Sequence, residues 1–247
     1  MSIYESWIVK QPIAHRGLFN ENIPENSLAA FKNAVKNKVT IDLDVCCLAD
    51  GTPVIFHDEK LARMTGKDGF ISNCKYTDIQ KLTLGSSKEK IPTLQEALDV
   101  IDGKVPVLIE IKNYSKVGDV EKSIWKVLQG YRGDYAITSF NPYSLEWFKN
   151  NAPKVKRGQI SSFFENKEIP GVRKFFLKRM SLNKKVSEPN FIIYAAENMP
   201  NKYLKKYYGT LPVLACTIKS EEEEKRLAGY CDNFVYDSYT PKALIKK

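Results

Sequence analysis

Histidine is scarce in this chain: His15 and His57 are the only two in 247 positions. Nor is any run long and apolar enough to cross a bilayer, so an integral membrane protein is not expected. The opening MSIYESWIVKQPIAHRG has acidic Glu5 early, only a short apolar patch and no cleavage-site pattern. It therefore does not read as a secretory signal, and a cytoplasmic location is expected. The five cysteines, Cys46, Cys47, Cys74, Cys216 and Cys231, are an odd set with neither paired nor metal-finger spacing. They are read most simply as free thiols in a reducing cytosol rather than as a disulfide framework. Recognition-helix, aromatic RNA-binding and zinc-finger patterns are missing, so nucleic acid is not an expected partner. Coiled-coil heptads and low-complexity tails are missing too, which argues against a purely structural role. No Pro/Gly/Ser linker, composition shift or short repeat divides the chain, which reads as a single domain over 1–247.

What is present is an ordinary globular composition, 43% hydrophobic and 27% charged, with a net charge of +9. The surplus of cations implies an anionic partner, whether phosphate ester, membrane surface or nucleic acid, and charge by itself does not choose. Strand-like runs occur at 12–17, 40–48, 106–112, 134–140, 157–163, 191–196, 211–218 and 232–237. Helical patterns such as NSLAAFKNAVKN, TLQEALDVI, GDVEKSIWKVLQGY, NPYSLEWFKNNA and EEEEKRLAGY fall between them. Asn26 is read as the cap of the first of these, and Thr93 with Glu96 as a capping box on the second. Eight alternating units predict an α/β fold of the TIM (β/α)8 barrel type, with a doubly wound open sheet as the competitor.

One segment interrupts the alternation. After the second strand, an Asp50-Gly51 pair leads into PVIFHD (53–58), which is a hairpin signal. A two-residue turn there would set Cys46 opposite Ile55 and Asp44 opposite His57, leaving Asp42, Asp44, Cys46 and His57 on one face.

Barrels of this type carry chemistry at the C-terminal ends of their strands. His15 and Arg16 end the first strand, Asp42 and Asp44 lie on the second, His57 and Asp58 end the hairpin, and Glu110 and Lys112 lie on the next. A single acid-bearing strand is readily explained as a solvated edge. Several in succession, in strands packed on both faces, need a common explanation, because unpartnered buried charge is costly. A divalent cation supplies one: Asp42, Asp44 and Glu110 are hard oxygen donors of the kind that suits Mg²⁺ or Ca²⁺. Arg16 and Lys112 would then hold an anionic substrate, with Arg suited to forked contact with phosphate. His15 and His57 fit general acid and base work, since imidazole titrates where such work is done.

With these residues the chain resembles the glycerophosphodiester phosphodiesterase family. The matching motifs are HRG (15–17), PENS (24–27), IDLDV (41–45), ADGTPVIFHD (49–58), LARMTG (61–66), IPTLQEAL (91–98), IEIK (109–112) and TSF (138–140), with weaker matches later. The resemblance implies an eight-stranded barrel with a small insertion over 59–90, a divalent cation, and hydrolysis of a glycerophosphodiester to glycerol phosphate and an alcohol. It also implies His15 and His57 as the acid–base pair, Asp42, Asp44 and Glu110 as metal ligands, and Arg16 and Lys112 as phosphate holders. The chain departs from the family pattern in several places. Asp42 stands where a Glu is usual, Lys38 where a glycine is usual, and Cys216 where a tryptophan is usual, while Tyr194-Ala195-Ala196 replaces a polar strand end.

Two other readings stand beside this one: a lyso-phospholipase D type activity on acylated diesters, and a catalytically weak phosphate- or lipid-binding barrel. The segment 161–186 combines two Phe pairs with Lys167, Arg173, Lys174, Lys178, Arg179, Lys184 and Lys185. It suggests either peripheral contact with an anionic membrane or, as the favoured expectation, a helix packing Phe175, Phe176 and Met180 on the barrel with its cations in water.

Overall fold

A computed structural model describes residues 2–114, 116–165, 171–181 and 183–242. In chain order the elements are α1 (Trp7–Lys10), β1 (Ile13–Ala14), α2 (Leu28–Lys36), β2 (Thr40–Cys47), β3 (Pro53–Ile55), α3 (Ala62–Thr65), α4 (Tyr76–Ile79), α5 (Leu94–Ile101) and β4 (Val107–Ile111). They continue with α6 (Asp119–Leu128), β5 (Tyr135–Ser139), α7 (Pro142–Asn151), β6 (Lys156–Ser161), α8 (Gly171–Lys178), β7 (Phe191–Ala195), β8 (Val213–Ile218), α9 (Glu221–Leu227) and β9 (Asn233–Tyr236). The fold is a barrel of eight parallel strands, with β3 as an extra strand outside it. Each of the eight strands expected from the sequence is present, and the open-sheet alternative is excluded. Between β7 and β8 the described connection has a 3-10 turn, Ala196–Asn198, and no α-helix.

The chain divides into two compact units, Ala14–Tyr135 and the remainder. In the first, β2 pairs in parallel with β4, placing Asp44 opposite Glu110. Thr40 through Cys46 are all buried, as expected of a strand covered on both faces. That burial takes Asp42 and Asp44 to 5% and 1% exposure. Helix α2 packs Ala30, Phe31 and Ala34 inward. Its approach depends on Gly17, where a Cβ would stand 3.0 Å from both the Ala30 Cβ and the Phe31 ring. The cap of α2 is Ser27, whose hydroxyl accepts from Ala30 N at 3.1 Å. This corrects the expectation of Asn26 in that role. The Thr93–Glu96 capping box on α5 is present as expected.

The hairpin register is also corrected. Val45 faces Ile55 and Cys46 faces Val54, so the pairing is displaced by one residue and Asp44 does not lie opposite His57. Leu48 N donates to Thr52 O and Gly51 N to Leu48 O, each at 3.0 Å. The turn is therefore the three-residue loop Ala49-Asp50-Gly51, closed by Gly51 at φ +81°, a conformation open to a residue without a Cβ. The reason lies in the segment that follows: Tyr76 N donates to the Asp50 carboxylate at 2.7 Å and Ala49 N to Cys74 O at 2.8 Å, which draws the loop toward α4. The insertion between β3 and α5 has its own core, in which Leu61, Ile71, Ile79, Leu84 and Ile91 pack with Cys46, Val54 and Phe56.

In the second unit β5 to β9 pair in parallel, each with the next in sequence. Met180 is buried, but Phe175 and Phe176 are 42% and 43% exposed and Val172 is 73% exposed. The expectation that the Phe pair packs on the barrel is therefore corrected. The two rings meet edge to face, and the Arg179 guanidinium lies 3.5 Å from the Phe175 ring centroid. Lys167 lies outside the described residues. Among the described residues no helix is long and apolar enough to cross a membrane.

Candidate active site

All the site residues expected from the sequence lie in the first unit. Asp44 is at their centre, because the inward pleat of β2 buries it beside the turn after β1 and the end of β4. Lys112 Nζ lies 3.2 Å from Asp44 Oδ1 and 2.5 Å from Glu110 Oε1, and Arg16 Nε lies 3.3 Å from Asp44 Oδ2. Burial alone would raise the Asp44 carboxyl. Lys112, His57, Arg16 and His15, in that order, overcome it and hold the group ionised, well below the usual carboxylate range. Burial likewise opposes charge on Lys112, yet Asp44 and Glu110 keep its ammonium protonated. Asp42 goes the other way: burial, then Asp44 and Glu110, push its carboxyl well up, toward the neutral form.

His15 and Arg16 lie in the turn after β1, Arg16 with left-handed backbone at φ +57°. His57 follows β3, outside the strand pairing. Its Nδ1 is 2.6 Å from Asp58 Oδ1, and the Tyr114 hydroxyl donates to its backbone carbonyl at 2.5 Å. Burial lowers the His57 pKa below that of free imidazole. The Asp58 carboxyl is itself held low against burial by hydrogen bonds from Arg63 and His57, so it accepts and His57 Nδ1–H donates. A neutral His57 then carries its lone pair on Nε2.

Four residues given no site role from the sequence belong to the arrangement. Asn26 Nδ2 donates to Asp44 Oδ2 at 2.8 Å, and Asp44 N donates to Asn26 Oδ1 at 3.3 Å. Glu25 accepts from Arg16 and from Arg63. Tyr114 holds the His57 main chain. The PENS motif was the available signal for Glu25 and Asn26, and LARMTG for Arg63. Among the described residues, no three His, Cys, Asp or Glu side chains already stand in a metal-holding arrangement; it is Lys112 that bridges Asp44 and Glu110.

A buried cluster of acids and cations flanked by two imidazoles is equipped for phosphoryl chemistry. The model of the glycerophosphoryl diester phosphodiesterase family matches residues 15–230. The chain belongs to that family. Among its relatives is the glycerophosphodiester phosphodiesterase of Caldanaerobacter subterraneus subsp. tengcongensis, 38% identical over 159 residues, 60% of this chain and 65% of that protein. The chain thus spans about two thirds of that relative's length. A glycerophosphodiester phosphodiesterase of Bacillus subtilis is 26% identical over 92% of this chain and 83% of its own. Among solved structures, an Oleispira antarctica phosphodiesterase in complex with the product sn-glycerol-3-phosphate superposes with a TM-score of 0.79, at 26% identity and 93% coverage of both chains.

Proposed function

We propose that the protein is a metal-dependent phosphodiesterase that hydrolyses glycerophosphodiesters to glycerol phosphate and an alcohol. The buried Arg16–Asp44–Lys112–Glu110 cluster beside His57 carries this reading, together with membership of the family. Arg16 and Lys112 hold the phosphoryl oxygens. The substrate's own glycerol hydroxyl attacks phosphorus while one imidazole of the His15/His57 pair takes its proton. The phosphorus–oxygen bond to the alcohol breaks, its electron pair leaves with that oxygen, and the second imidazole supplies the proton. Water then opens the cyclic phosphate with the two imidazoles in reversed roles. A tethered nucleophile avoids the entropy cost of bringing two molecules together.

Asp42, Asp44 and Glu110 would hold a divalent cation, Mg²⁺ or Ca²⁺. Two observations fit that donor set: Asp44 Oδ1 makes no hydrogen bond and is met by the Lys112 ammonium at 3.2 Å, and burial, followed by the other two acids, drives Asp42 toward its neutral form, a strain that added positive charge relieves. The cation supplies charge that offsets the negative charge growing on the phosphoryl oxygens.

The test is release of glycerol phosphate and choline from glycerophosphocholine, with lysophosphatidylcholine assayed in parallel to separate a lyso-phospholipase D type activity. His15→Ala and His57→Ala should each lower turnover by about 10²–10⁴-fold. Full turnover in both would remove the assignment, and a wild type without activity on either substrate would favour a binding barrel.

We propose, as a separate point, peripheral contact with anionic lipid at α8, where Val172, Phe175 and Phe176 are exposed beside the basic residues Arg173 and Lys174. Retention on anionic vesicles at high salt supports that contact, and absence of binding removes it. The five free cysteines support a cytoplasmic location.

A further inference from the structure

The guanidinium of Arg63, on α3 of the insertion, spends all three nitrogens on two carboxylates. Nε lies 2.5 Å from Asp58 Oδ2 and Nη2 3.1 Å from Asp58 Oδ1. Nη2 is also 2.6 Å from Glu25 Oε1, and Nη1 3.1 Å from Glu25 Oε2. Each carboxylate is already engaged on the site side: Asp58 Oδ1 accepts from His57 Nδ1 at 2.6 Å, and Glu25 Oε1 accepts from Arg16 Nη1 at 2.6 Å. A continuous chain thus runs His57–Asp58–Arg63–Glu25–Arg16. Its middle link comes from a segment outside the strand and helix repeat.

We propose that Arg63 is a positioning residue that sets His57 and Arg16 against each other, and that the insertion serves the site by presenting it. The proposal rests on the reading of His57 as an acid–base group and of Arg16 as a phosphate holder. Arg63 itself touches neither the imidazole nor Arg16; it acts through Asp58 and Glu25. A lone half-exposed ion pair would contribute little. This one differs in geometry, because the planar fork matches two carboxylates at once, which a lysine ammonium cannot do.

The insertion is built to hold this residue still. Leu61 N donates to Gly69 O at 3.0 Å, Ile71 N to Glu59 O at 2.9 Å, and the Thr65 hydroxyl to Leu61 O at 3.0 Å, closing the turn that carries Arg63 on both sides. Leu61 and Ile71 are buried in the insertion's core. The side chain at 63 therefore projects from an anchored base, so its loss should disturb the two carboxylates more than the fold.

Steady-state kinetics on glycerophosphocholine and ¹⁵N-histidine NMR together test this. Arg63→Ala should lower kcat by about 10²-fold, the size of effect expected when a reacting group is displaced by an ångström, with a thermal midpoint close to wild type. Arg63→Lys should stay impaired, and guanidinium ion added to Arg63→Ala should recover part of kcat. With only two histidines the imidazole signals are assigned by single substitution. His57 should be a single Nδ1–H tautomer in the wild type and a mixture of tautomers in Arg63→Ala.

Wild-type kcat in Arg63→Ala, full recovery by lysine, or an unchanged His57 spectrum would each overturn the proposal. If the wild type proves inactive on glycerophosphodiesters, the functional reading fails separately and the NMR comparison still decides on the brace. If Arg63→Ala does not fold, Arg63→Lys carries both measurements.

Discussion

Asn26 and Asp44 clasp each other across 18 positions of sequence, the Asn26 amide donating to the carboxylate while its oxygen accepts from the Asp44 main chain. Asn26 reaches this position with left-handed backbone, φ 54°, a conformation asparagine tolerates better than most residues. A buried carboxylate deprived of one of its donors loses part of what offsets its desolvation, even with Lys112 and Arg16 still beside it. Asn26→Ala should therefore lower unfolding stability by about 1.5–3 kcal/mol in urea titrations, and Asn26→Asp, which sets a second acid against Asp44, by more. A stability unchanged in both would mean that solvent replaces the amide freely.

Part of the acid sensitivity should trace to Glu25. Burial opposes its charge, but the hydrogen bond from Arg63 and the charges of Arg16 and Arg63 hold its carboxyl below the usual glutamate value. A carboxyl lowered in the folded state contributes stability that is fully present above the unfolded value of about 4.3 and lost as pH falls through the folded one. Urea midpoints between pH 7 and pH 3 should fall less steeply below about pH 4.3 in Glu25→Gln than in the wild type. Parallel curves would remove Glu25 from the acid response and leave it to Asp44 and Asp58.

Divalent cation should stabilise the chain through the three acids. At a concentration of 100 times its dissociation constant an ion that binds only the folded state adds about 2.7 kcal/mol. The thermal midpoint should rise with added Mg²⁺ or Ca²⁺ in the wild type and stay flat in Glu110→Gln. A chelator should abolish turnover and either ion restore it. An equal rise in the variant would take Glu110 out of the ligand set.

Lys38 marks a site where stability can be raised. It is exposed and sits between α2 and β2 with φ +56°, the left-handed conformation that costs a residue with a Cβ about 1–2 kcal/mol. Lys38→Gly should raise stability by about 0.5–1 kcal/mol, part of the relief being offset by the greater freedom of glycine when unfolded. Calorimetry that gives a lower midpoint would show that the lysine side chain makes a compensating contact.

The eight strands could be read from sequence because each is a local apolar run, and the α5 capping box because Thr93 and Glu96 are three residues apart. The placement of Asp42, Asp44 and Glu110 on strands was legible for a similar reason: a charge inside an apolar strand is conspicuous wherever the chain goes next. The hairpin was placed correctly but its register was not, since the Asp50-Gly51 dipeptide does not reveal that Tyr76 N and Cys74 O capture the loop. Asn26 was read as a cap because it precedes a helix, a role that Ser27 fills, while the acid that Asn26 serves lies on another element.

For this protein, then, residue order alone determined the repeating strands and helices, and with them which acids, cations and imidazoles fall on a strand or just after one, because both follow from periodicity within a few positions. Tertiary structure decided the pairings: Asn26 with Asp44, Arg63 with Asp58 and Glu25, Lys112 between Asp44 and Glu110. It also left Phe175 and Phe176 exposed where their hydrophobicity argued for burial. Such partners are chosen by the desolvation of charge and by the space left when distant segments pack, and neither quantity exists until the chain has folded.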